Sequence, residues 1–292
     1  MISPESIYPL PVSVITPAYN AARFMPRCLA TVTRQGVECE HIVIDDCSTD
    51  NTAEVLDRLK QTNPQLVFLR SPRNAGPMEA RNLAIHNARG RFLAFLDADD
   101  VWLPSKLSKQ IAFMESRGAA LSFTDYRFMT EDARLVGPRL RGPAQIGWHL
   151  HHMTRYLGCL TIMVDRLLCP SFRFPAMPRE IKAEDFLAWA QVIRKHGSAH
   201  RCPEDLARYS VVEGSRSSDG VGAARTVWAL YREVEHFPFP QAAAYFVCYA
   251  AFTVAKRLLC KPRQMMPISE QTLFSLLTDP TMEENANRPY RR

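Results

Sequence analysis

Arg91-Phe92-Leu93-Ala94-Phe95-Leu96-Asp97-Ala98-Asp99-Asp100 joins an apolar run to three carboxylates. The run reads as a buried strand, and it stops abruptly where the acids begin. Acids clustered at the mouth of a strand are costly unless a positive group shares the space. Hard oxygen ligands of this kind suit Mg²⁺ or Mn²⁺ carrying a phosphorylated substrate. A helix N-cap accounts for one Asp ahead of the Lys/Gln-rich helical stretch that follows. It does not account for three.

Working outward from this stretch, apolar runs alternate with helical patterns through the first 125 residues. Strands are predicted at Val12–Thr16, His41–Asp45, Leu66–Leu69, Arg91–Leu96 and Ala120–Phe123. Helices are predicted at Ala21–Arg34, Thr52–Gln61, Met78–Arg89 and Ser105–Ser116. Strands separated by amphipathic helices of this length imply βαβ crossovers and a mainly parallel sheet covered on both faces. In such open sheets the ligand lies beyond the carboxyl ends of the strands. Polar clusters recur there: Thr16-Pro17-Ala18-Tyr19-Asn20 after the first strand, Asp45-Asp46-Cys47-Ser48-Thr49-Asp50 after the second, and Asp97–Asp100 after the fourth. Each alone is explained as a cap, a turn or an edge plug. Together they place three distant segments on one sheet edge.

The chain has 292 residues and is 47% hydrophobic, enough for one large domain or a domain with an appendage. Its net charge of +6 suits anionic substrates or a membrane surface and falls short of a nucleic-acid binder's footprint. Eight scattered cysteines without a CxxC pair, and an N-terminus interrupted by Pro4, Pro9, Pro11 and Pro17, predict a reduced, cytoplasmic protein without a signal peptide. The absence of GxGxxG after the first strand argues against a dinucleotide-binding oxidoreductase.

The ordered set comprising the strand that opens into Pro17-Ala18-Tyr19-Asn20, the segment IDDCSTDNT, NAGPMEARN from Asn74, FLDADD from Phe95 and Ala183-Glu184-Asp185 resembles the inverting nucleotide-sugar glycosyltransferases of family 2, with the GT-A fold. The likeness covers roughly residues 11 to 217. It implies that Thr16, Ala18 and Tyr19 border the nucleotide, with the tyrosine ring beside the base, and that Asp45 hydrogen-bonds the uracil imide. It also implies that Asn74 and Gly76 begin the turn carrying Arg81 toward the nucleotide. Asp97, Ala98 and Asp99 correspond to the DxD element, in which Asp97 and Asp99 hold a divalent metal, Mn²⁺ or Mg²⁺, and the donor diphosphate.

Glu184 and Asp185 open a helix with Phe186, Trp189 and Ile193 inward, and the macrodipole alone accounts for acids in that place. The resemblance implies that Asp185 is the base that deprotonates the acceptor, with Glu184 orienting it or touching the sugar. The partners it implies are a nucleotide-sugar donor, most readily UDP-linked, and a glycan or lipid-linked glycan acceptor. Other classes share parts of the pattern. A sugar nucleotidyltransferase needs a glycine- and lysine/arginine-rich phosphate loop near the N-terminus, which is missing after Val12–Thr16. A non-catalytic nucleotide-sugar binding or scaffold protein would keep the donor acids without turnover.

Departures from the family pattern are instructive. Cys47 replaces the usual glycine of the Asp45-Asp46 turn, so that turn is expected to avoid a left-handed conformation. Val212 stands where a basic residue or histidine often approaches the metal, with Arg216 as a substitute, leaving Asp99 as the expected direct ligand. Trp148–Met153, with three histidines but no matching carboxylate or cysteine, is expected to line the acceptor cleft rather than hold zinc, ahead of a strand at Leu160–Val164.

Beyond Ser218 the pattern is helical, at Val221–His236 and Ala242–Leu259, broken by Phe237-Pro238-Phe239-Pro240. The uncharged stretch Ala242–Ala255 is shorter than the roughly 20 residues that span a bilayer. Packing on the core is the preferred reading. The second is a peripheral contact at the inner face of a membrane through the basic end, Lys256, Arg257, Lys261 and Arg263. The expected architecture is thus an α/β GT-A-type, Rossmann-like domain over 1–218, with its nucleotide half at 11–125 and acceptor half at 126–218, followed by a helical region over 219–292.

Overall fold

Strand β1 (Leu10–Ala18) is the centre from which the sheet is built. It pairs in parallel with β2 (Cys39–Asp45) on one side and β4 (Gly90–Phe95) on the other, and β3 (Leu66–Arg70) continues the parallel set beyond β2. The computed structural model describes residues 7–178, 181, 183–211, 220–259 and 266–267. Helices α1 (Met25–Thr33), α2 (Thr52–Lys60) and α3 (Pro77–Asn87) make the crossovers. The apolar run that opened the sequence reading explains the two-sided core. Phe92, Ala94 and Leu96 pack with Met25, Leu29 and Leu56 on one face, while Leu93 and Phe95 pack with Ala80, Ala84 and Trp189 on the other. Gly90 is required by closeness: a Cβ there would lie 2.3 Å from the Ser13 backbone nitrogen.

The other half of the sheet is mixed. After β5 (Val101–Trp102) and α4 (Lys106–Arg117), β6 (Leu121–Thr130) and β7 (Leu135–Leu140) form an antiparallel pair. β9 (Ile162–Asp165) lies antiparallel between β4 and β6. The spatial order is β11-β7-β6-β9-β4-β1-β2-β3, with β11 at Met266–Pro267. β10 (Ser198–Val211) runs parallel to β6 and antiparallel to both β5 and β8 (Gln145–Gly147). Short helix α5 (Trp148–Met153) and α6 (Glu184–His196) pack between this half and the C-terminal helices. Those are α7 (Gly220–Ala229), a π-type turn at Leu230–Val234, and α8 (Phe239–Leu259).

Several expectations change. β10 is the longest strand among the described residues, yet four charges break its apolar pattern. Three of them, Arg201, Asp205 and Arg208, are held in ion pairs within the sheet: Asp205 meets Arg127 at 2.5 Å and Arg208 at 2.6 Å, while Asp125 meets Arg139 at 2.8 Å and Arg201 at 3.1 Å. The strand expected from Leu160 starts instead with a 3₁₀ turn at Cys159–Thr161. The first helix begins at Met25, not Ala21, because Asn20 takes φ 50° and the amides of Ala21 and Ala22 donate to Thr52 Oγ1 and Asp50. Pro240 does not end a helix; it lies in the first turn of α8, where its missing N–H costs nothing. Val212 to Ser218, Arg216 among them, lie outside the described residues, as does the tail from Ile268.

Cys47 corrects a specific expectation, since it adopts φ 61° and the turn is left-handed. The turn is imposed from both sides: Asp46 N–H donates to Ala18 O at 2.8 Å, and Ser48 N–H donates to Asp45 Oδ1 at 3.0 Å. A left-handed L-residue costs roughly 1–2 kcal/mol, and glycine gives back about 0.5–1 kcal/mol in unfolded-chain entropy. Cys47→Gly is therefore expected to stabilise the fold by about 0.5–1 kcal/mol in urea unfolding. A loss of stability would mean that the thiol makes contacts worth more than the strain.

Candidate functional site

The carboxyl ends of β1, β2 and β4 converge as the sequence requires, and hydrogen bonds lock their loops together. Asn20 Oδ1 accepts from Thr49 N–H at 2.9 Å and Asp50 N–H at 3.3 Å, while Asn20 N–H donates to Ser48 Oγ at 2.9 Å. Thr16 and Ala18 are buried at the end of β1, and Tyr19 is half-exposed beside them. Thr16 Oγ1 lies 2.8 Å from His41 Nε2. Burial holds that imidazole down to about 3, so it stays neutral across the working range.

Asp45 is fully buried. Its Oδ1 accepts from Ser48 N–H; its Oδ2 lies 3.1 Å from Arg70 Nε, too poorly aligned for a hydrogen bond. One buried carboxylate oxygen thus has an ion-pair neighbour but no donor pointed at it, and Arg70 over it is half-exposed. The adjacent Asp46 carries a role that the sequence reading left unassigned. It accepts from Ala75 N–H at 3.0 Å and Gly76 N–H at 2.7 Å, pinning the turn in which Asn74 is exposed and Gly76 takes φ 93°. Its signal was present as the second acid of the pair.

That turn opens α3 and delivers Arg81 to the centre of the site. Asn82 fixes the approach by exchanging two hydrogen bonds with the Phe174 backbone, at 2.8 and 2.9 Å, and the Arg81 guanidinium lies 5.4 Å from the Phe174 ring. Arg81 pairs with Asp97 at 2.5 Å and Glu184 at 3.7 Å. Burial opposes its charge, but the two acids more than compensate and the guanidinium is held more firmly charged than usual. Cys159, enclosed nearby, shows how closely the charges gather. Burial pushes its thiol well up; Arg81 opposes that shift, while Asp97, Asp185 and Glu184 add to it. Asp97, Glu184 and Asp185 therefore share one neighbourhood.

The remaining acids of the opening stretch are held differently. Asp100 Oδ1 accepts from Ser210 N–H at 2.8 Å, so it ties the loop to β10 and is not a helix cap. The Asp99 carbonyl accepts from Arg27 at 2.8 Å and Ser210 Oγ at 2.5 Å. Sequence patterning had no means of finding Arg27 and Ser210, because they act through backbone groups far away in the chain. Burial, then repulsion from Asp97, pushes the Asp99 carboxyl up to about 6, and burial, then repulsion from Asp99, raises Asp100 well above the ordinary range. An open recess of about 780 Å³ adjoins this loop between Arg23, Arg27, Glu131 and Arg134, and none of the expected site residues lines it.

Asp185 is half-buried in the first turn of α6, where its Oδ1 accepts from Phe186 N–H at 2.7 Å. Behind it, His151 Nε2 lies 2.9 Å from the Phe186 carbonyl and its ring stacks on Phe186. The Trp148–Met153 segment bridges β8 and α8. His151 and His152 are buried, His152 meets Trp148 O, and exposed His149 meets Tyr245.

Known proteins resemble this chain in sequence and in fold. The chain is 36% identical over 248 residues to the putative teichuronic acid biosynthesis glycosyltransferase TuaG of Bacillus subtilis, covering 85% of this chain and 97% of that one. It is 30% identical over 219 residues to WfgD of Escherichia coli, a UDP-Glc:alpha-D-GlcNAc-diphosphoundecaprenol beta-1,3-glucosyltransferase, covering 74% and 83%. The fold is shared with S. aureus TarS 1-349 in complex with UDP, at TM-score 0.58 and 20% identity, covering 95% and 78%. Residues 13–163 match the family model described as "Glycosyl transferase family 2", and the chain belongs to that family of glycosyltransferases, with the GT-A fold.

Proposed function

We propose that this glycosyltransferase moves a sugar from a UDP-linked donor to a hydroxyl of a lipid-linked glycan, inverting the anomeric centre, with Asp185 as the general base. The observation that carries the reading is the Arg81 bridge: one buried guanidinium joins Asp97, at the end of the donor strand, to Glu184, next to the proposed base. In a single displacement the acceptor oxygen bonds to the anomeric carbon as the bond to the diphosphate breaks. Asp185 takes the hydroxyl proton, and the nucleoside diphosphate departs with the electron pair. The unsatisfied Oδ2 of Asp45 supports uridine, whose imide N–H is the complementary donor. The acceptor class follows from the printed activity of WfgD, carried here as a proposal.

The donor set fits a hard divalent cation of limited protein coordination. Among the described residues no three acids, histidines or cysteines gather as a ligand cluster, and Asp97 is committed to Arg81. Asp99, with a carboxyl raised by burial and neighbouring acids, would be the holding residue. Mg²⁺-type sites commonly use one or two carboxylates completed by substrate phosphates. When bound, Mn²⁺ or Mg²⁺ would neutralise charge developing on the leaving diphosphate. Arg27 and Ser210 keep the Asp99 backbone in place.

Calorimetry tests this reading together with turnover. UDP is expected to bind more tightly with Mn²⁺ than with chelator, Asp99→Ala is expected to abolish most of that gain, and UDP-sugars are expected to release UDP in the presence of a lipid-linked acceptor. Equal affinity in all three conditions would remove the metal. Tight UDP binding with no turnover on any lipid-linked acceptor would instead mark a binding protein.

A further inference from the structure

Helix α8 has two apolar faces, and only one is used. Ala242, Tyr245 and Tyr249 are buried with Ala183, Phe186 and Leu187 of the α6 start and with Tyr231 and Phe237. On the opposite side, Phe239, Ala244, Val247, Ala251, Val254 and Leu258 are exposed, Val247 to 66% and Val254 to 59%. Among the described side chains of α8, every exposed one is apolar or a cysteine. This stripe is about 30 Å long at 1.5 Å per residue. A surface helix of a soluble domain carries charges there, and an apolar patch of this extent marks an interaction face. Half-buried Trp228, edge-on to Phe239 and Phe246, adds an aromatic flank at its start.

We propose that this outer face of α8 lies on an anionic lipid surface. Charge points to that partner. No acidic residue occurs from His236 to Ser269, whereas Lys256, Arg257, Lys261 and Arg263 do. Lys256 turns inward to the Arg155 carbonyl, leaving the other three sequence positions to carry the argument. Basic positions that follow an apolar stripe, with no acid near them in sequence, suit lipid phosphates. No described helix is long and apolar enough to cross a membrane, so the helix rests on the surface. Because its inner face touches Phe186, the surface would lie about one helix diameter, ~10 Å, from the first turn of α6. A lipid-anchored hydroxyl would then reach Asp185 without leaving the interface; this purpose rests on the lipid-linked acceptor proposed above, while the docking itself rests on α8.

The test is co-sedimentation of the full chain with phosphatidylcholine vesicles, with and without phosphatidylglycerol, alongside the Val247→Glu/Val254→Glu variant. Retention is expected on the phosphatidylglycerol vesicles, weakening as salt is raised, and the variant is expected to lose about tenfold in binding while keeping its thermal melt and UDP affinity. Failure of the full chain to sediment with either vesicle, or equal retention of the variant, would overturn the proposal. A dimer in light scattering that the same substitutions dissociate, without vesicle binding, would also overturn it and give the face to a second copy. Vesicle retention without sugar transfer would sink the transferase reading alone and leave the docking supported.

Discussion

Asp185→Asn is expected to lower sugar transfer by about 10² to 10⁴, the usual worth of a positioned general base, while UDP affinity stays unchanged. The substitution preserves shape and keeps an oxygen to accept from Phe186 N–H, the contact that Asp185 makes at 2.7 Å. It removes only basicity. Glu184→Gln is expected to cost less, because Arg81 lies 3.7 Å from Glu184 and retains the closer Asp97. The measurement is kcat and KM on the lipid-linked acceptor beside calorimetry with UDP. Near wild-type turnover in Asp185→Asn would return that acid to a helix-dipole role.

The second large effect is on stability. Asp205 is fully buried between Arg127 and Arg208, and Asp205→Ala is expected to destabilise the protein by about 3–5 kcal/mol, because it removes the carboxylate that two buried guanidiniums share. Urea unfolding reads this directly. Replacing the three residues together by apolar side chains of similar volume is expected to recover most of the loss. A single substitution costing under about 1 kcal/mol would mean that water reaches the arginines and the trio is a surface ion pair in effect.

The first 125 residues were legible because their strands are buried on both faces. Phe92–Leu96 or Ile42–Ile44 admit one reading, and the acids that follow them fall on one edge by topology alone. Glu184 and Asp185 could be named from their motif, but their closeness to Asp97 could not, because it depends on Arg81 crossing from α3. β10 was illegible for the opposite reason: its charges satisfy one another across strands, so Arg201, Asp205 and Arg208 resemble a solvated loop in sequence while lying in the sheet. The left-handed Cys47 turn was not legible because residue preference does not decide it; bonds from Asp46 and Ser48 set the backbone there.

The stitching of the acid loop sets the size of the smallest working fragment. Asp99 and Asp100 are held by Ser210, more than a hundred positions onward, and Arg127 of β6 pairs with Asp205 of β10. An expression fragment ending after residue 163 would retain the matched family segment and Asp97-Ala98-Asp99, yet leave an open edge along β6 and the acid loop untied. The motif-bearing segment is thus not a minimal catalytic unit, and a truncation series should first yield a competent enzyme when its end passes β10.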